Sequence, residues 1–218
     1  MKILPGNGKT SGLTLIEVLG ILAILVIFVG LLLPSLQRSG PNRGITCSSN
    51  LRQIGIVYFM WADDHGGKFP AQIPSVEKGS MEMISSGYAC LQFRPLLAYM
   101  PRNMKVFVCP ADKTKFAATN YNSLREDNVS YFANVDATTN NPANTILAGD
   151  RNLSANSQLV KPGLFILTTN FDMNWTYEIH LKGGNLAFAD SHVEWVNTTQ
   201  LNSVVQRQLL ATNRLVVP

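Results

Sequence analysis

An α+β fold is what this sequence predicts, with one long N-terminal helical region leading into a head of short strands, turns and brief helices. Three features predict it. Residues 13–33 read LTLIEVLGILAILVIFVGLLL, apolar on every face and free of proline. Cys47, Leu51, Ile54, Tyr58 and Trp61 recur at i, i+4, i+7, i+11 and i+14, the stripe of a helix with one buried side. Beyond residue 67, Pro, Gly and Asn punctuate short β-rich runs, as in a sheet with brief connections. Composition narrows the function classes. With 46% hydrophobic and 15% charged residues among 218, the chain is no disordered tail. Its net charge of +4 belongs wholly to residues 1–62, where Lys2, Lys9, Arg38, Arg43 and Arg52 face the single acid Glu17. The remainder is balanced, so a basic nucleic-acid-binding domain is excluded and no nucleic-acid partner is expected.

The elements divide the chain into a polar leader at 1–12, an apolar helix at 13–33, a stalk helix at 34–66 and an α+β head at 67–218. A helix over 13–33 would be about 31 Å long, enough to cross a bilayer. A secretory signal peptide has a shorter apolar region, about 7 to 15 residues, and a small-x-small cleavage site. Here Pro34-Ser35-Leu36-Gln37 follows instead. Basic residues flank both ends, so charge alone gives little orientation; a long following domain can translocate, which permits the N-terminus inside and the head outside. Glu17 is the one charge in the apolar run. An ionised carboxylate costs about 2.5 to 3.5 kcal/mol at mid-bilayer, so it calls for a proton or a cationic partner. Pro34 removes a backbone donor, so the helix is expected to kink or open there. Gly40-Pro41 and Gly44 predict an interruption of the stalk near 40–44. The Cys47–Trp61 stripe then lies against the head, and Asp63-Asp64-His65-Gly66-Gly67 ends the helix.

In the head, residues 106–108, 129–132, 145–147, 164–168, 185–188 and 192–196 read as strands. Residues 91–100 and 199–211 read as helices, the first with Pro95 inside it. Gly183-Gly184 reads as a hairpin turn.

The stretch Gly12-Leu13-Thr14-Leu15-Ile16-Glu17 resembles the leader of type IV prepilins and type II secretion pseudopilins, in which a glycine precedes the cut and a glutamate stands fifth in the mature chain. Leu13 replaces the phenylalanine usual after the cut. In the head, CSSNLRQIG, FMWADDHGGKFP, VFVCPAD and TILAGDRN resemble the large-headed pilin-like proteins of the Planctomycetes and Verrucomicrobia group. His180 and Asp190, with nine residues between them, resemble their H-x9-DG signature, with Ser191 in place of the glycine. The resemblance implies a pilin-like fold, a long N-terminal helix packed on an antiparallel sheet. It implies cleavage between Gly12 and Leu13 by a prepilin peptidase, which also methylates the new amine. Glu17 then pairs with the amine of a neighbouring subunit and sets filament register. Pilin-like helices commonly loosen in the region of Pro34 when packed into a fibre. The chain is thereby expected to be a non-enzymatic subunit of a type II secretion pseudopilus or related filament. Its partners are then copies of itself, other pilin-like subunits, an assembly platform and the lipid bilayer of the inner membrane, with the head in the periplasm or outside the cell.

Of the three cysteines, Cys47 with Cys109 is the favoured bridge, since it would tie stalk to head; Cys90 with Cys109 competes. Without a CxxC pair, no zinc site is expected from these thiols. An alternative reading gathers His180, Asp190 and His192, with Glu194, into a ligand-binding or metal-dependent site on a membrane-anchored ectodomain. No cofactor is expected beyond calcium, suggested by loop-bound calcium in some pseudopilins, for which Asp63, Asp64, Asp112 and Asp150 offer hard oxygen donors. No G-x-S-x-G, HExxH, phosphate-binding loop or dinucleotide fingerprint is present.

Overall fold

The structure is a computed structural model that describes residues 15–36, 43–100, 103–208, 210 and 212–218, the side chains of 29–36, 43 and 212 excepted. The chain divides into two compact units, residues 1–41 and 42–218.

In the first unit, helix α1 spans Leu15–Leu36. Its large apolar side chains point outward on all faces, from Leu15 (81% exposed) and Ile16 (78%) to Phe28 (62%). A helix with no polar face needs cover from lipid or from other chains. α1 runs on past Pro34 to Leu36, so the opening expected at the proline is instead a helix end two residues later. A proline in the last turn withdraws one hydrogen bond from a ladder that is already finishing. Among the described residues no helix is long and apolar enough to cross a membrane; α1 is described with its side chains over 15–28. The processing pair Gly12 and Leu13 lies outside the described residues, as does most of the expected stalk break.

The second unit opens with α2 (Arg43–Asp63). Gly44, expected within a break, sits in the first turn of α2, where N–H groups have no intrahelical partner and glycine costs little. The stripe Cys47, Leu51, Ile54, Tyr58 and Trp61 is buried as its spacing predicts, none more than 4% exposed.

The strands are β1 (Tyr131–Asn134), β2 (Ile146–Asp150), β3 (Leu153–Ala155), β4 (Gln158–Leu159), β5 (Gly163–Thr168), β6 (Met173–Trp175), β7 (Gly183–Phe188), β8 (Val193–Asn197) and β9 (Thr212–Val217). Six form an antiparallel sheet in the order β5-β9-β1-β2-β7-β8, and three form a small sheet in the order β4-β3-β6. The fold is thus α+β with an antiparallel sheet. Both faces of the large sheet are covered. Tyr131, Ala133, Ala187 and Val216 face the core that holds the α2 stripe and the aromatic cluster of Phe69, Phe93 and Phe107. Phe132, Leu186, Phe188, Leu215 and Val217 alternate to the other side, against Trp175 of the small sheet and Leu201 and Val204 of α4 (Thr198–Gln206). Small residues under α2 let the helix approach β2 and β7 closely.

Several elements differ from expectation. Val106 and Phe107 end a 3₁₀ turn, Met104–Phe107, Val108 is its C-cap, and no strand forms there. Asn103 caps that turn, and Asn50 of α2 donates to the carbonyl of Val108 at 3.1 Å, so local side chains take the backbone groups a strand would use. The helix expected over 91–100 splits into α3 (Ala89–Phe93) and a 3₁₀ turn, Arg94–Ala98, because Pro95 has no N–H to continue the ladder. The helix expected over 199–211 ends at Gln206, and β9 follows it into the sheet between β5 and β1. Gly183 and Gly184 are the first residues of β7 and make no turn. A Cβ on Gly184 would stand 2.5 Å from the Trp175 ring, so close packing demands the glycine. The turn itself is Leu181-Lys182, with φ of +50° and +67°.

Leu215 of β9 is 1% exposed in the core between the large sheet and α4. Leu215→Ala should destabilise the chain by about 2 to 5 kcal/mol, read as a lower urea midpoint at an unchanged slope.

Candidate functional site

Cys47 and Cys109 form a disulfide with a Cα–Cα distance of 5.0 Å. Cys47 comes from the first turns of α2 and Cys109 from the segment after the 3₁₀ turn, so the bond ties that helix to the head. Cys90 is a free, buried thiol, and burial followed by the nearby charge of Glu126 pushes it up to about 12. The competing Cys90–Cys109 pairing is not formed.

Two more groups converge on this bond. His180 Nε2 lies 3.3 Å from Cys109 Sγ and 3.4 Å from Asp150 Oδ2. Asp150, the last residue of β2, is wholly buried, and the His180 side chain is 5% exposed. Asp150 Oδ2 accepts hydrogen bonds from the backbone N–H of Asn185 at 2.7 Å and from its side-chain amide at 2.8 Å. Its Oδ1 is buried with no hydrogen-bond partner among the described residues. Burial pushes the Asp150 carboxyl up to about 7, against the pull of the Asn185 bonds. Burial also moves His180 below the usual imidazole value. The Leu181-Lys182 turn delivers His180 to the cluster just before β7 begins, and the ring stands edge-on to Trp195 at 5.2 Å. Two left-handed residues in succession, neither a glycine, cost about 1 to 2 kcal/mol each.

Next to the cluster, Arg151 grips Asp112 with two bonds, Nε to Oδ2 at 2.8 Å and Nη2 to Oδ1 at 3.1 Å, and also reaches Thr114 and Glu178. Burial pushes Asp112 up, but the bonds from Arg151 and Thr114 outweigh it and hold the carboxyl below its usual value. Across the β1–β2 ladder, Tyr131 lies opposite Asp150, and its hydroxyl accepts from Asn50 of α2 at 3.3 Å.

The arrangement separates residues that the sequence grouped. His180 precedes β7, whereas Asp190 and His192 sit beyond its far end, on the β7–β8 turn. Six strand residues put roughly 20 Å between the two ends. Asp190 and His192 are about half exposed and pair with each other, His192 stacking on Phe188. Glu194 is exposed on β8. The ligand or metal site expected from His180, Asp190 and His192 is therefore not assembled, because a hairpin holds its members at opposite ends. Ser191 takes a left-handed conformation that glycine would favour, at φ +68°, and packs against Gly55 of α2.

The four aspartates considered for calcium do not converge either. Asp63 is exposed, Asp64 accepts from the Tyr99 hydroxyl, Asp112 is committed to Arg151, and Asp150 is held by Asn185. Glu17 lies in the first turn of α1. A shallow cavity of about 200 Å³, lined by Ser75, Lys78, Met83, Leu91 and Arg94 among others, includes no residue of the cluster. Asp150 is the member that sequence reasoning missed as a partner of His180. Nothing in its spacing signals the pairing, since a strand, a helix and two loops have to meet.

No protein-family model, no curated protein and no solved structure matches this chain.

Asp112 binds fewer protons folded than unfolded at acid pH, so its contribution is present above about pH 4 and is lost as pH falls through its lowered folded value. Asp112→Asn should cost about 2 to 3 kcal/mol at pH 7 by leaving Arg151 poorly paired. In urea unfolding, the gap between the two proteins should narrow steadily as pH is brought down to about 3.

Proposed function

We propose that this chain is a structural subunit of a pseudopilus or related type IV pilus-like filament, inserted through its N-terminal helix and processed between Gly12 and Leu13. The observation that carries the reading is Gly12-Leu13-Thr14-Leu15-Ile16-Glu17 leading directly into α1, whose apolar side chains are exposed on every face. Such a surface is stable when lipid covers it before assembly and when neighbouring helices cover it afterwards. In this reading residues 13–33 are the membrane segment, and the N-terminus stays in the cytoplasm while the head lies beyond the inner membrane.

Glu17 has an assembly role. After cleavage, the ammonium of Leu13 lies about 6 Å along the helix from Glu17. Staggered copies bring the carboxylate of one to the amine of the next. The pair forms in low dielectric, where a lone charge is costly, so it selects one axial register. The disulfide at the start of α2 suits an oxidising compartment. Within the head, the long buried stripe makes α2 a core element.

Co-expression of the full chain with a prepilin peptidase tests the reading by intact mass. The expected product begins at Leu13, with or without one methyl group; an uncut chain, or one beginning after residue 33, contradicts it. Glu17→Ala should be cleaved normally and enter filaments far less, and normal assembly of that variant would remove the pairing step.

A further inference from the structure

We infer that Cys47, Cys109, Asp150 and His180 form a zinc site when the disulfide is reduced, so that one set of side chains can close the head either by a sulfur–sulfur bond or by a metal. The sulfurs of Cys47 and Cys109, a carboxylate oxygen of Asp150 and a ring nitrogen of His180 all lie within 4.8 Å of one another. Tetrahedral zinc holds sulfur at about 2.3 Å and nitrogen or oxygen at about 2.0 to 2.2 Å, which sets its ligands about 3.3 to 3.8 Å apart. The measured separations from His180 Nε2, 3.3 Å to Cys109 Sγ and 3.4 Å to Asp150 Oδ2, already fall in that range.

The geometry favours metal ligation over nucleophilic catalysis. In a catalytic relay the carboxylate would hold one ring nitrogen and the thiol would face the other. Here sulfur and carboxylate both face Nε2, converging on one point as ligands do. The surroundings also fit. Asp150 Oδ1 is also buried and without a partner among the described residues, so the carboxylate has a second oxygen whose charge a cation would balance. Asn185 anchors Oδ2, the oxygen that faces His180, through two hydrogen bonds, the outer support that metal-bound carboxylates need. Two thiolates, an imidazole and a carboxylate form a soft, mixed donor set that selects zinc over calcium or magnesium. Four protein ligands make this a closed structural site.

The redox step balances with a dithiol as the reductant. The disulfide takes two electrons and two protons from the dithiol, giving Cys47 and Cys109 thiols and the cyclic disulfide of the reductant. Zinc binding then releases the two thiol protons to solvent as the Zn–S bonds form. The bond ties α2 to the segment after the 3₁₀ turn, and the metal would hold those two segments together with the end of β2 and the turn before β7. A chain that has not yet been oxidised therefore has a means of closing its head.

The test uses the full-length chain, oxidised or reduced with a dithiol under anaerobic conditions, freed of reductant and then exposed to zinc or cobalt(II). The expected result is one zinc retained per reduced chain and none per oxidised chain. The cobalt form should show the visible bands of a tetrahedral ion together with thiolate-to-metal charge transfer. His180→Ala and Asp150→Asn, shown by circular dichroism to be folded in their disulfide forms, should bind zinc at least about 100-fold more weakly after reduction. The inference is overturned if the reduced chain retains no zinc, if it unfolds instead of taking metal, or if its cobalt spectrum lacks thiolate charge transfer. It is equally overturned if both variants bind zinc as tightly as the parent.

Discussion

The seating of α2 on the large sheet is the constraint on which the rest of this head depends. The helix supplies one wall of the main core, and its first turns are fixed covalently to a segment 62 residues further on. Closing a loop of that length removes conformational freedom from the unfolded chain worth about 4 kcal/mol in the chain-entropy model. Asn50 strengthens the same contact without covalent chemistry, spanning from the helix to the carbonyl of Val108 and the hydroxyl of Tyr131. With these fixed, Trp61 and Tyr58 have one place to go, and Gly55 brings the helix against the turn at Ser191.

The second organising feature is a sheet covered on both sides. β1 and β9 lie near its middle, each alternating residues between the α2 core and the α4 core. Because β9, the last strand among the described residues, is an interior strand, the sheet cannot be completed until residues 212–217 have been made. The polar pairs sit where this architecture leaves carbonyls and charges otherwise stranded. Arg214 on β9 pairs with Asp136 just after β1, and Arg151 after β2 pairs with Asp112. Asp150 is the exception. Its position at the end of a central strand puts a carboxylate in the interior, where, among the described residues, Asn185 and His180 answer it.

How much of this was legible depended on the range of the interactions. The α2 stripe could be read because helical burial repeats within one segment, and β5, β7 and β8 because their apolar runs are bounded by turn residues. β9 was hidden. Asn213 and Arg214 dilute its apolar character, and its place in the sheet is set by partners far away in sequence. The 3₁₀ turn at Met104–Phe107 looked like a strand because Val106 and Phe107 are β-formers, whereas Asn50 and Asn103 decide its shape. The candidate site was half legible. His180 stood out beside Gly183-Gly184, but spacing grouped it with Asp190 and His192, which the β7–β8 hairpin carries away from it. The φ of +68° at Ser191 puts a serine in a turn conformation that glycine would adopt more cheaply.

These features join in one physical account of the proposed role. A filament subunit has to pass load from a membrane-derived helix into a head without the two parting. Within the head, α2 is buried in the core and tied near its start, so pulling on that helix means breaking the hydrophobic core. The central claim is therefore that α2 is among the last elements of the head to open. Native-state hydrogen exchange of the oxidised full-length chain reads this directly. The account predicts that the amides of residues 51–61 exchange as slowly as those of β1, β2 and β7, through global unfolding alone. Fast exchange across α2 while the sheet stays protected would contradict it.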